Sequence, residues 1–204
     1  NILDNYIYGL RDNNDRNVLR LGPDGTYENL GVPIGVGASV GVAWGEVKND
    51  SGTMDTHGNW WGSNDSYLYK LTIGDKPSAG SLTFERIAKS GETQHLYDMA
   101  FNPLDGHLYG QEGGKLYRYT TSGVGSIINT TGDALSGRAG GNWATANGVI
   151  YQYINGQGKL YSIDMAAATP VVTEVGTVDV NGTFDATACT PPGLTKKVSE
   201  RTLD

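Results

Sequence analysis

Asp4-Asn5-Tyr6-Ile7-Tyr8-Gly9 and Asp105-Gly106-His107-Leu108-Tyr109-Gly110 are two copies of one short pattern, a turn pair followed by an apolar–aromatic doublet and a glycine. A looser copy runs Asn147-Gly148-Val149-Ile150-Tyr151, and a tryptophan version stands at Gly58-Asn59-Trp60-Trp61-Gly62. With Tyr8, Trp61, Tyr109 and Tyr151 taken as equivalent, the copies are 53, 48 and 42 residues apart. A period of roughly 40–50 residues without helical signal is that of four-stranded propeller blades.

A second motif keeps step with the first. Val18-Leu19-Arg20-Leu21, Tyr67-Leu68-Tyr69-Lys70-Leu71, Lys115-Leu116-Tyr117-Arg118-Tyr119 and Lys159-Leu160-Tyr161-Ser162-Ile163 occupy one register, with Leu19, Leu68, Leu116 and Leu160 at intervals of 49, 48 and 44 residues. Two motifs in phase are far harder to obtain by chance than one. With the strands of each unit lettered a to d from the axis outward, the doublet is strand b and the Leu-Tyr motif strand c. Strand d is expected at Tyr27 to Leu30, Leu82 to Ile87, Ser126 to Ile128 and Val171 to Val175, each after a turn such as Gly22-Pro23-Asp24-Gly25. The inner a strands are expected at Ser39 to Trp44, Leu96 to Phe101 and Gly140 to Ala146, where small residues suit backbones crowded near an axis.

The sequence therefore predicts an all-β propeller with four units at 1–37, 38–90, 91–136 and 137–180, the first lacking its a strand. Phe184-Asp185-Ala186-Thr187-Ala188-Cys189-Thr190-Pro191 echoes Tyr97-Asp98-Met99-Ala100-Phe101-Asn102-Pro103. Residues 181–190 are thus expected to supply the missing inner strand and close a four-bladed ring. Membership of a five- to seven-bladed ring fits the repeat equally well. Past Pro191-Pro192 the repeat is lost, and residues 191–204 read as a linker or the start of a following module.

Composition narrows the function classes. Thirty glycines and twelve tyrosines suit short strands with many turns, and only Asp164 to Ala168 tolerates a helix. A net charge of −7 without a basic patch argues against a nucleic-acid partner. No apolar run is long enough to span a bilayer as a helix. Cys189 is the single cysteine, so no disulfide forms within the chain.

The combination of D-[NG]-x-[IL]-Y-G, a later L-Y-R-[YI] strand and Asp185-Ala186-Thr187-Ala188-Cys189-Thr190-Pro191 resembles a known module. It is similar to the propeller-like domain of unknown function in very large bacterial cell-surface and adhesin-like proteins. Those domains typically precede tandem Ig-like repeats, and Gly193-Leu194-Thr195-Lys196-Lys197-Val198-Ser199 looks like the entry to one. The resemblance implies an extracellular, secreted or cell-surface location beside other domains of a larger protein. It transfers no catalytic residue.

Candidate sites lie in the loops. In a propeller the b–c and d–a connections share one face, which usually holds the binding site. Asp12, Asn14 and Asp15 offer hard oxygens to Ca²⁺, although the full calcium-loop spacing is missing and Arg11 and Arg16 oppose a cation. Trp60, with Asp55, His57, Asn59 and Asp65 near it in sequence, is the candidate ligand contact, since sugar sites pair an aromatic face with polar side chains. Trp61 replaces the repeated tyrosine and is expected in the core, as are the inner-strand Trp44 and Trp143. His57, His95 and His107 are too scattered for a zinc triad, and no G-x-S-x-G elbow exists. The leading expectation is a non-enzymatic module that binds a glycan or protein partner through its loop face. The alternatives are a metal-dependent lactonase or hydrolase, with Glu46, Asp98 and Asn142 around an axial cation, and a structural spacer.

Overall fold

The computed structural model describes residues 6–10, 17–35, 52–73, 77–78 and 80–177. They form four sheets, one for each sequence repeat, with no helix among the described residues. Blade 1 contains β1 (Ile7–Leu10), β2 (Val18–Leu21) and β3 (Tyr27–Gly31). Blade 2 contains β4 (Thr53–Met54), β5 (Asn59–Ser63), β6 (Tyr67–Thr72) and β7 (Thr83–Ala88). In blade 3, β9 (Ala100–Asn102), β10 (His107–Glu112), β11 (Lys115–Tyr119) and β12 (Val124–Ile128) run from the inside out, with β8 (Ser90–Gly91) added on the outer edge. Blade 4 repeats that plan with β14 (Arg138–Ala144), β15 (Val149–Asn155), β16 (Lys159–Asp164) and β17 (Val171–Thr177), edged by β13 (Thr131–Gly132). All pairs within the meanders are antiparallel.

The aromatic doublet works by alternation. Successive residues of a strand point to opposite faces, so its two members face different neighbouring blades. Trp61 joins Leu68, Leu96, Met99, Phe101, Leu108, Tyr117 and Tyr119 between blades 2 and 3. Its neighbour Trp60 packs the other way, against the cluster of Val18, Leu30, Tyr69 and Leu71 between blades 1 and 2. Tyr109, Leu116, Ile150, Ile154 and Tyr161 fill the seam between blades 3 and 4. Each seam is sheet packed face to face on sheet, and together they make the core.

A further device stitches each blade to the next. As the chain leaves one blade it runs briefly parallel to the outermost strand of the following one: Ile34 bridges Thr83, Ser90–Gly91 pairs with Val124–Gly125, and Thr131–Gly132 pairs with Val171–Val172. Gly35, Gly91 and Gly132 sit there at φ of 94°, 73° and 87°. A Cβ on them would overlap the carbonyl oxygens of Phe84, Gly125 and Val172. Only glycine meets both demands.

Three strand expectations change. The strand beside β5 is Thr53–Met54, in register with Trp61 and Trp60, whereas Ser39 to Trp44 lies outside the described residues. In blade 3 the ladder begins at Ala100; Leu96 and Met99 are fully buried, which gave the segment its strand-like look, but they pack in the seam without pairing. In blade 4 the inner strand starts at Arg138 and ends at Ala144, two residues earlier than the apolar pattern suggested. Register also moves the first Leu-Tyr copy by one. Arg20 pairs with Tyr8 as Lys70 pairs with Trp61, so Val18, with its wholly buried side chain, is the counterpart of Leu68, and Leu19 answers to Tyr69. Residues 181–190, Cys189 and the tail 191–204 lie outside the described residues.

Candidate functional site

An open cavity of about 360 Å³ lies between blades 2 and 3. Its floor is apolar: Trp61, Ile87 and Phe101. Its rim is polar: His57 and Asn59 from the blade 2 a–b turn, Lys70 and Glu85 from β6 and β7, and Thr121 from the blade 3 c–d turn. Lys70 and Glu85 are cross-strand partners 3.9 Å apart, and the Lys70 ammonium lies 5.9 Å from the Trp61 ring centre. The pair repeats the Arg20–Glu28 pair of blade 1, which is at 2.7 Å and holds the Arg20 guanidinium above its ordinary pKa.

Asp55 builds the cavity without facing it freely. Its Oδ1 accepts the backbone N–H groups of His57 and Asn59, both at 2.8 Å. Its Oδ2 accepts the Asn59 Nδ2–H at 2.8 Å and the Trp61 indole N–H at 2.9 Å. Four donors saturate the carboxylate, so Asp55 orients Asn59 and Trp61. Asp105 has the same role in blade 3, accepting the His107 N–H at 3.0 Å and the Tyr109 hydroxyl at 2.6 Å. Burial and that bond push the Tyr109 phenol well above its usual pKa.

Of the five sequence-predicted ligand residues, Asp55, His57 and Asn59 come together on this cavity. Trp60 turns toward blade 1, where its ring covers Gly52 and Gly62. Asp65 stands at the opposite end of β5, 84% exposed in its b–c loop, with its Oδ1 3.9 Å from His95 Nδ1. The candidate calcium ligands Asp12, Asn14 and Asp15, and also Trp44 and Glu46, lie outside the described residues. No cluster of three or more His, Cys, Asp or Glu able to hold a metal occurs among the described residues. Trp143 stacks on Tyr151 with centroids 5.4 Å apart, on the face of blade 4 that points away from blade 3.

Two further polar clusters lie outside this cavity. At the b–c end, the Lys89 ammonium donates to Ser63 Oγ at 2.7 Å, Asn64 O at 2.5 Å and Gln94 O at 2.6 Å, and lies 4.6 Å over the Tyr119 ring. Burial lowers its pKa to about 7, against the attraction of Asp65. In the seam between blades 3 and 4, Asn142 Nδ2 donates to the Asp98 carbonyl at 2.8 Å and Gln111 Nε2 to the Gly137 carbonyl at 2.9 Å. Gln152 is fully buried there, with neither amide atom hydrogen-bonded among the described residues. Asp98 and Asn142 thus meet, as an axial site would require. The meeting runs through a backbone carbonyl.

Four radially repeated antiparallel meanders with apolar seams define a β-propeller. The chain belongs to the repeat family of unknown function DUF6923, whose pattern matches residues 1–191. No curated protein matches the sequence. Among solved structures the chain is similar to a protein of unknown function from Bacteroides thetaiotaomicron, at 15% identity and a TM-score of 0.63 over 91% of this chain and 52% of that one. It is also similar to virginiamycin B lyase from Staphylococcus aureus, at 11% identity and a TM-score of 0.51 over 86% and 53% of the two chains. A candidate gluconolactonase matches at 15% identity and a TM-score of 0.53 over 89% and 66%. At these identities the likeness shows the fold alone. The chain spans about half the length of the solved propellers it matches first.

Proposed function

We propose that this propeller is a non-enzymatic binding module of a larger cell-surface or secreted protein, and that it takes a glycan in the cavity between blades 2 and 3, at the a–b and c–d turns and not at the b–c and d–a loop face expected from the sequence. The observation that carries this reading is the cavity's division into an apolar floor and a polar rim. A sugar ring offers C–H faces to the floor and hydroxyls to the rim, where His57, Asn59, Lys70, Glu85 and Thr121 supply donors and acceptors of both kinds. Trp61 and Phe101 are almost wholly buried, so recognition rests on hydrogen bonds more than on ring stacking. An extracellular setting and neighbouring Ig-like repeats belong to the same proposal. They are supported by the likeness of the repeated motifs to surface-protein modules. A glycan array probed with the full chain tests the reading. Binding to a restricted set of glycans, lost in Lys70→Met and His57→Ala, is expected. A blank array, or one indifferent to both substitutions, overturns it and leaves the spacer reading.

The second reading is a cation-dependent lactonase or hydrolase, favoured by the approach of Asn142 to Asp98. It predicts that Ca²⁺ raises the melting temperature and that Asp98→Asn abolishes the rise. Identical melting with Ca²⁺ and with chelator removes it.

A further inference from the structure

One row of residues crosses every blade in the same register, and its burial differs in one blade only. In blade 2 the row is Trp60, Leu71 and Phe84; in blade 3 it is Leu108, Tyr119 and Gly125; in blade 4 it is Ile150, Ile163 and Val172. These side chains point toward the preceding blade and are core: Leu71, Leu108, Tyr119, Ile150 and Ile163 are 0% exposed, Val172 1% and Phe84 5%. The blade 1 row is Ile7, Leu21 and Tyr27, equally apolar and in the same pairing. It is 69%, 43% and 67% exposed. The stitching strand that pairs with Phe84, Gly125 and Val172 in the other blades has no counterpart beside Tyr27 among the described residues.

At the far end blade 4 shows the complementary deficit. Trp61 and Tyr109 are buried by the blade that follows theirs, whereas their counterpart Tyr151 is partly exposed. Leu160 is partly exposed where Val18, Leu68 and Leu116 are buried, and Val175 is 48% exposed. No strand of blade 1 makes an extended contact with a strand of blade 4 among the described residues. Among the described residues, both ends of the four-blade arc therefore present, uncovered, the two halves of a seam that is packed three times inside it.

We propose that the free face of blade 1 is an interaction surface for a propeller blade of the same repeat, and that for this chain the occupant is blade 4 of a second copy. The complementarity is built in, because the forward-facing half-seam of blade 4 is the type that the row Ile7–Leu21–Tyr27 meets in register inside the arc. Blade 4 of each copy on blade 1 of the other forms two equal heterologous contacts related by a two-fold axis, which closes the ring and leaves no free end. Eight blades lie within the usual range for propellers.

Sedimentation of the full 204-residue chain across a concentration series tests this. The expected species has about twice the 21.7 kDa mass of one chain and dissociates on dilution. Tyr27→Glu and Leu21→Glu should each weaken association at least ten-fold with melting of the monomer unchanged. Leu104→Glu, which charges an exposed apolar position in a turn off both faces, should leave it intact. In the unmodified chain the methyl signals of Ile7 and Leu21 should shift on dilution, a readout that depends on no variant. A monomer at every concentration overturns the proposal. So do a dimer indifferent to both glutamates and a polymer that grows without closing.

Discussion

The seam between blades 2 and 3 and the seam between blades 3 and 4 are built from the same register positions and end up with opposite properties. The first keeps a cavity of about 360 Å³ and places Lys70 and Glu85 on its rim. The second packs Ala100, Tyr109, Leu116, Ile150, Ile154, Tyr161 and Ile163 into one buried cluster. The row that carries Lys70 and Glu85 in blade 2 carries Arg118 and Ser126 in blade 3. Replacing a carboxylate by a hydroxyl removes one half of the charged rim. The propeller scaffold thus tolerates a binding-sized gap at one seam while another seam supplies stability. What differs is side-chain chemistry at matched positions, with no change of backbone plan.

That contrast can be broken from the strongest effect downward. Leu116→Ala in the second seam should cost about 2–5 kcal/mol in denaturant unfolding, through lost burial and the cavity left behind. Lys89→Met should cost about 1–3 kcal/mol, because the Asn64 and Gln94 carbonyls lose their donor. Its pH dependence has a definite sign. Burial lowers the folded-state pKa to about 7 from 10.5, so between those values the unfolded chain binds more protons and stability rises with pH. Melting curves from about pH 6 to 10 should show this rise in the parent chain, and the contribution of Lys89 should vanish in Lys89→Met. Gln152→Met should change stability by less than about 1 kcal/mol in either direction, since the amide it removes has no described partner. Lys70→Met should be smaller still in unfolding, as an exposed ion pair contributes roughly 0–1 kcal/mol, yet it should abolish ligand binding. A large stability loss there would mean that the rim is structural.

The sequence made the blades legible because strands b, c and d carry strong local signals. Turn formers precede alternating aromatic and apolar residues, and those strands fall within a few residues of their expected places. The inner strands were less legible. Among the described residues Thr53 and Met54 pair beside β5, too short a stretch to show alternation, and Leu96 and Met99 look like strand residues because they are buried. The stitching glycines Gly35, Gly91 and Gly132 carry no flanking motif, and only the close carbonyl contacts reveal their shared role.

The site was half legible. Asp55, His57 and Asn59 were grouped by their nearness in one turn, and all three line the cavity. Trp60 and Asp65 were grouped with them for the same reason, and strand alternation and strand length then separated them. Lys70, Glu85 and Thr121 come from other strands and another blade, so only register brings them in. The repeat of an Arg20–Glu28 pair as Lys70–Glu85 was the signal that could have pointed to them.

The most direct test of the central claim is a titration of the isotope-labelled chain with a glycan selected on the array, read by amide and indole N–H shifts. The account predicts that the Trp61 indole and the amides of His57, Asn59, Gly106 and Thr121 move together, with Lys70→Met erasing the response. Shifts confined to the opposite end of the blades, at Asn64 to Ser66, Gly113 and Gln157, would contradict it.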